Sequence, residues 1–434
     1  MSDTIFALSS APGRAGVAVL RVSGPDSAKA LTTLAGALPA PRRAVLRSLR
    51  TAGGERIDQA LVLWFPAPDS FTGEDVCEFH VHGGPAIVER LLAELGALPG
   101  LRPAAPGAFT RRAVENGKLD LTQAEALIDL IDAQTEGQRR QAVGQYDGAL
   151  RDLIEGWRTR LIKTLAWAEA EIDFSNEELP AGMTAQVISQ VIEIIKEIES
   201  HREDGRRGEI VRDGLFLTVI GPPNAGKSSL VNALARRDVA IVAETAGTTR
   251  DIVEVRLDIG GYAVIVSDTA GLREAADAVE SEGVRRALAR AEQSDLVLVL
   301  ADGSDPALPG LSGMTLENAD LLVWNKADLA RTDRPGLKIS LKTGEGLDEL
   351  LAAIEQKVAQ RLARLSEAPV LTRARHRHAL TEAVAALRRA LAAPEPELFA
   401  EDLRLAVRAI GRITGRVDVE DLLDVVFRDF CIGK

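Results

Sequence analysis

The run Phe216-Leu-Thr-Val-Ile-Gly-Pro-Pro-Asn-Ala-Gly-Lys-Ser-Ser229 passes from an apolar strand into Gly221-Pro-Pro-Asn-Ala-Gly-Lys-Ser228 and then into a helix start. The middle part matches G-x-x-x-x-G-K-[ST]. Glycines there let main-chain N–H groups turn inward at a helix N-terminus, where they cradle phosphates. In this pattern Lys227 reaches the β- and γ-phosphates and the Ser228 hydroxyl ligates magnesium. Asn224, Ala225, Gly226, Lys227, Ser228 and Ser229 are the expected phosphate-loop contacts.

Two further stretches follow in the order such a site needs. A strand Val264 to Ser267 ends in Asp268-Thr-Ala-Gly271. Asp268 is placed to hold the magnesium shell through water, with Thr269, Ala270 and the Gly271 N–H on the γ-phosphate side. Asn325-Lys-Ala-Asp328 ends the strand Leu321 to Trp324. The Asp328 carboxylate can accept from guanine N1–H and its 2-amino group, donors that adenine lacks. A site built on such bonds rejects the wrong base by about 10⁴-fold or more. Asn325, Lys326 and Asp328 are expected at the base, backed by the loop Ser340-Leu-Lys342.

Working outward, strands alternate with helices from Phe216 to about residue 360, the pattern of a doubly wound, mostly parallel sheet. Residues 1 to 118 alternate short apolar runs with Gly and Pro; Gly16 to Val22, Ala60 to Phe65 and Val76 to Val81 read as strands of a mixed α/β module. From Leu119 the periodicity is helical, with Thr122-Gln-Ala-Glu125 as a capping box and a broad apolar face over Val187 to Ile198. His201 to Gly208 is charged and linker-like, and the chain is helical again from Leu371. The expected organisation is 1–118, 119–213, 214–362 and 363–434, with the two helical stretches forming one domain around an inserted α/β unit.

The chain has 434 residues, 46% hydrophobic and 27% charged, as a soluble globular protein does. No apolar run reaches the roughly 18 residues of a membrane span, and the N-terminus lacks the order of a signal peptide. Two distant cysteines, Cys77 and Cys431, point to a reducing cytoplasm rather than a disulfide framework. The net charge of −12 argues against holding nucleic acid by overall field, so any RNA contact needs a local patch or a partner.

The phosphate loop with Asn224, the string Ala246-Gly-Thr-Thr-Arg-Asp251 and the run Asp268-Thr-Ala-Gly-Leu-Arg-Glu274 resemble the TrmE-Era-EngA-like P-loop GTPases. Gly107-Ala-Phe-Thr-Arg111, Gly117-Lys-Leu-Asp-Leu121 and the ending Phe430-Cys-Ile-Gly-Lys434 narrow the likeness, along the whole chain, to the tRNA-modification GTPase family called MnmE or TrmE.

That resemblance implies an N-terminal folate-binding α/β domain, a helical domain and an inserted Ras-like GTPase domain. It makes Thr249 a second magnesium ligand and assigns a potassium ion to Asn224, Ala243, Thr245 and Thr248. A monovalent cation beside the phosphates supplies charge where an arginine finger otherwise acts. Residue 272 is Leu, so the usual water-orienting Gln is missing. Read alone, Glu280 is a solvated helix-surface glutamate; the resemblance makes it the group that orients the attacking water. The family further implies 5-formyltetrahydrofolate or a related tetrahydrofolate bound at Arg21, Glu78, Lys118 and Lys434, each on its own a surface charge. Cys431 reads either as a buried small hydrophobe or, by the resemblance, as a catalytic thiol near the folate; its tail fits a prenylation code badly.

His80 and His82 read as ordinary strand residues of opposite parity to Cys77. His376 and His378, set among Arg373, Arg375 and Arg377, read as a basic helix start able to touch tRNA phosphates. The implied protein is a cytoplasmic homodimer using GTP, Mg²⁺ and K⁺. It works in a heterotetramer with an FAD- and NADH-dependent partner resembling MnmG (GidA), and together they install a carboxymethylaminomethyl or aminomethyl group at C5 of the tRNA wobble uridine. The alternative is an Era-like regulatory switch on ribosomal RNA, which should carry a basic appendage that this acidic chain lacks.

Overall fold

The computed structural model describes residues 3–173, 183–222, 224–237, 239–241, 254–268, 294–305, 319–329, 334–362, 371–417, 423, 426–427, 430 and 433. Positions 183–184, 203–206 and 268 are described by backbone alone. By contacts the chain forms two compact units. One comprises Met1–Ile128, Tyr146–Asp173 and Pro394–Lys434; the other comprises Asp129–Gln145 and Phe174–Ala393.

The first unit is built on β1 (Thr4–Leu8), β2 (Ala15–Ser23), β3 (Val45–Arg50), β4 (Arg56–Phe65), β5 (Val76–Gly83) and β6 (Leu101–Pro103), in sheet order β3-β4-β5-β2-β1-β6. Helices α1 (Ser27–Ala35) and α2 (Pro85–Gly96) cover one face, burying Leu31, Leu34, Leu91 and Leu95 against Leu20, Val22, Val62 and Phe79. Each such side chain contributes on the order of 1.5–3 kcal/mol when fully buried. Strand alternation sends Leu20 and Val22 inward, so Arg21 faces the other way. Helices α3 (Ala108–Glu115) and α4 (Leu121–Asp132) follow; α4 as far as Ile128 belongs to this unit. Leu121 and Ala124 of α4 pack with Leu423, Phe427 and Phe430.

Asp120, not Thr122, caps α4. Its Oδ1 accepts from the Thr122 and Gln123 amides at 2.7 and 3.1 Å, while Gln123 Oε1 accepts from the Asp120 amide at 3.2 Å. The reciprocal box is thus Asp120 to Gln123.

In the second unit, β7 (Leu215–Ile220), β8 (Glu254–Ile259), β9 (Tyr262–Asp268), β10 (Leu296–Asp302), β11 (Leu321–Asn325) and β12 (Leu337–Lys338) form a sheet of order β12-β11-β10-β7-β9-β8. Every pairing is parallel except β8 with β9 at one edge. The apolar run of β7 sits at its centre, with Leu217 and Val219 packed on Leu230 and Leu234 of α8 (Lys227–Ala235) and on Leu350 and Ile354 of α9 (Leu347–Leu362).

The helical stretches pair within each unit: α6 (Ala149–Asp173) packs on α11 (Pro396–Thr414), and α7 (Met183–Asp213) on α10 (Ala374–Ala392). The charged stretch His201 to Gly208 is not a linker, because α7 runs through it. Arg and Glu are good helix formers. The helix is also pinned beyond that stretch: Val211 is buried, Glu209 pairs with Arg377 at 3.0 Å, and Arg212 donates to the Thr372 carbonyl at 2.8 Å. Helix α5 (Glu136–Tyr146) lies alongside, with Gln141 donating to the Gly208 carbonyl at 3.0 Å.

Candidate functional site

The phosphate loop joins the carboxyl end of β7 to α8, the place where parallel α/β sheets bind ligands. Gly226 at the helix cap has φ 103°, and a Cβ there would lie 2.5 Å from Asn325 Nδ2. Only glycine fits. Asn224 has φ 62°, a left-handed conformation that asparagine tolerates better than most residues. Lys227 Nζ donates to the carbonyls of Gly221 and Pro222 at 2.9 and 3.0 Å, which holds the ammonium over the loop. Ser228 and Ser229 open α8 and are exposed.

The segment Asn325 to Asp328 is tied to this loop. Asn325, 4% exposed, donates from Nδ2 to the Ala225 carbonyl at 2.9 Å and accepts at Oδ1 from the Leu341 amide at 3.2 Å. Ser340, fully buried, donates to Asp328 Oδ1 at 2.7 Å and so fixes an exposed carboxylate. Lys326 has φ 65°, a strained conformation for a long side chain, and its Nζ is held by Asp302. Burial pushes the Asp302 carboxyl up, but hydrogen bonds from Lys326 and Ser304 outweigh it and keep the group below its ordinary range.

Asp302 was not singled out in the sequence. Its signal is a carboxylate at the end of a central parallel strand, next to the phosphate-loop strand. Asn224 to Ser229 therefore gather at one sheet edge with Asn325, Lys326, Asp328 and Ser340. Asp268 closes β9 beside Val219 and is described by backbone alone. Ala243, Thr245, Thr248, Thr249, Thr269, Ala270, Gly271, Glu280, Cys431 and Lys434 lie outside the described residues.

The other proposed site sits in the first unit. Arg21 and Glu78 are cross-strand partners, and Glu78 Oε1 accepts from Arg21 Nε and Nη2 at 3.0 and 2.9 Å. The guanidinium lies 5.3 Å from the Phe71 ring and 5.8 Å from that of Phe109. Glu78 Oε2 meets His80 Nε2 at 3.0 Å. Burial raises the Glu78 carboxyl, but the His80 hydrogen bond and the Arg21 charge dominate and leave it lowered. Replacing such a largely buried pair with apolar residues is often neutral or stabilising, so the pair is weak as a stability device. A fixed carboxylate beside a cation and two aromatic faces suits the donor-rich, flat ring of a pterin. Lys118 is exposed, with its Cγ 3.3 Å from where a Cβ on Gly73 would stand.

Gly433 docks on the end of β1, its carbonyl accepting from Ser9 Oγ at 2.9 Å. Cys77 is fully buried on the opposite face from Glu78, and burial pushes its thiol far above the usual range. His82 pairs with Asp58 at 2.8 Å. His376 is also fully buried, which corrects its reading as a phosphate contact. The basic start of α10 is met by acids: Arg373 pairs with Asp129, Arg377 with Glu209 and His378 with Glu382. Among the described residues no helix is long and apolar enough to cross a membrane.

A glycine-rich loop at the carboxyl edge of a parallel sheet, joined through Asn325 to the loop that fixes Asp328, defines the P-loop nucleotide-binding class. Residues 4–118 match the model of the GTP-binding protein TrmE N-terminus, and 121–431 match that of the MnmE helical domain. The tRNA modification GTPase MnmE of Paramagnetospirillum magneticum is 55% identical over the full length of both chains. That of Parvibaculum lavamentivorans is 56% identical, again over both full lengths. Among solved structures, the G domain of the T. maritima FeoB iron transporter is 28% identical over 33% of this chain and 98% of its own, with a TM-score of 0.25. That score is too low to bear on the fold, which rests on the strand order above. The chain belongs to the MnmE family of tRNA modification GTPases. The resemblance read from its motifs is borne out.

Proposed function

We propose that this chain is a potassium-dependent GTP hydrolase of tRNA modification, and that with an FAD-dependent partner of the MnmG (GidA) kind it modifies C5 of the wobble uridine using a folate one-carbon unit. The observation that carries the nucleotide part is the Asn325 bridge, which holds the base-reading loop and the phosphate loop as one body. The wider reaction is supported by full-length identity to the curated relatives.

Within this reading Lys227 and the loop amides bind the triphosphate, and Asp328, held by Ser340, accepts from the guanine edge. Ser228 and Thr249 hold magnesium, and Asn224, Ala243, Thr245 and Thr248 hold potassium. Bound there, the two cations neutralise charge developing on the transferred phosphoryl group. Glu280 orients the attacking water. Arg21, Glu78, Lys118 and Lys434 bind the folate, and Cys431 stands near it. The fourfold division 1–118, 119–213, 214–362 and 363–434, a homodimer and a cytoplasmic location belong to the same proposal.

The test is nucleoside analysis of tRNA from cells lacking this chain. Loss of the wobble modification, restored by the wild-type sequence and not by Lys227→Ala, supports the reading; intact modification removes it. Hydrolysis that rises with KCl and not with NaCl supports the potassium assignment, and equal rates in both salts remove it.

A further inference from the structure

The Arg21–Glu78 pair has a third member that the family reading does not use. Strand alternation on β5 puts Glu78 and His80 on one face, with Leu63 and Leu61 of β4 opposite them on one side and Arg21 and Val19 of β2 on the other. His80 is 30% exposed at its side chain and Glu78 15%, so the two meet at the rim of the site.

The carboxylate has two anchors of different kinds. Oε1 receives both Arg21 donors, and Arg21 is itself held near the Phe71 and Phe109 rings. Among the described residues Oε2 receives only His80 Nε2, at 3.0 Å. An ionised carboxylate can only accept, so His80 must carry its proton on Nε2. A carboxylate offers roughly four lone-pair directions. Three are engaged by these contacts, and the remaining one lies on Oε2. The last torsion of a glutamate is broad and soft. Arg21 holds one oxygen; His80 sets where the other one points.

We propose that His80 is a positioning residue of the folate site, its Nε2–H fixing the rotation of the Glu78 carboxylate so that Oε2 receives one N–H donor of the pterin ring. This rests on the folate reading above. A glutamine at position 80 keeps an N–H donor of similar reach, whereas alanine or phenylalanine does not.

The test is isothermal titration of the full chain with 5-formyltetrahydrofolate, together with thermal unfolding to check the fold. Loss of one hydrogen bond weakens His80→Ala about tenfold, while His80→Gln stays within about threefold of wild type. Glu78→Gln, in which an NH2 donor replaces one of the two accepting oxygens, loses binding. If His80→Ala binds as wild type does while Glu78→Gln fails, the role of His80 is overturned and the folate reading stands. If His80→Ala is weak and His80→Gln is equally weak, the donor role is overturned. If the wild-type chain binds no folate, both fall. Should His80→Ala misfold, His80→Phe against His80→Gln makes the same comparison, with equal binding by the two overturning the proposal.

Discussion

Asn325 donates to the carbonyl of Ala225 at 2.9 Å across 100 residues of sequence. The same side chain accepts from the Leu341 amide, so one buried amide group joins the phosphate loop to the loop Ser340 to Lys342. Asn325→Ala leaves a buried carbonyl and an amide unpaired, at a cost of about 1–3 kcal/mol. Fluorescent GDP titration is expected to show at least about tenfold weaker binding, with a lower unfolding temperature. Unchanged affinity would mean that the two loops hold their places independently.

In the proposed reading Asp328 supplies the base preference; Ser340 donates to its Oδ1 at 2.7 Å. Asp328→Asn turns an acceptor into a donor, which suits xanthine rather than guanine. GTP binding should fall by about 10² or more, with xanthosine triphosphate gaining, because such bonds discriminate strongly. Competition between the two nucleotides reads this directly, and retained GTP preference would contradict it.

Gly433 has φ 100°, and a Cβ built on it would lie 2.0 Å from the Leu8 carbonyl oxygen. Left-handed backbone costs other residues about 1–2 kcal/mol before any clash is counted. Gly433→Ala should therefore undock this contact. Hydrogen exchange of the C-terminal peptide is expected to quicken while the global unfolding temperature changes little. Equal exchange in both chains would show that the tail is held elsewhere.

Glu78 carries a folded-state pKa below its ordinary value of 4.5. A depressed carboxyl contributes stability that is fully present above the unfolded pKa and is lost as pH falls through the folded one. Unfolding temperature should thus fall as pH drops below 4.5, and less steeply in Glu78→Gln. Asp3, Asp58 and Asp302 are lowered too, so the difference between the two chains, not the slope of either, isolates Glu78. Parallel curves would contradict the assignment.

The nucleotide motifs were legible in the sequence because they are local: Gly221 to Ser228 and Asn325 to Asp328 each specify a turn and its donors within a few residues. What joins them was not legible, since the Asn325–Ala225 bond depends on β7, β10 and β11 lying side by side. Parity on β5 sets His80 apart from Cys77, but only the register of β2 against β5 shows Arg21 directly opposite Glu78. His201 to Gly208 misled because charge and two glycines imitate a linker; the anchors that keep it helical, Glu209–Arg377 and Arg212 on Thr372, come from distant sequence. Asp120 and Thr122 are both good capping residues, and sequence spacing alone favours Thr122. The exchange of hydrogen bonds with Gln123 identifies Asp120.

The most direct measurement is equilibrium binding of GTP and of ATP to the purified full-length chain, with turnover followed in KCl and magnesium. Tight GTP binding with hydrolysis, ATP weaker by several powers of ten, and loss of both binding and turnover in Lys227→Ala is the expected result. Equal binding of the two nucleotides, or none, would contradict the account.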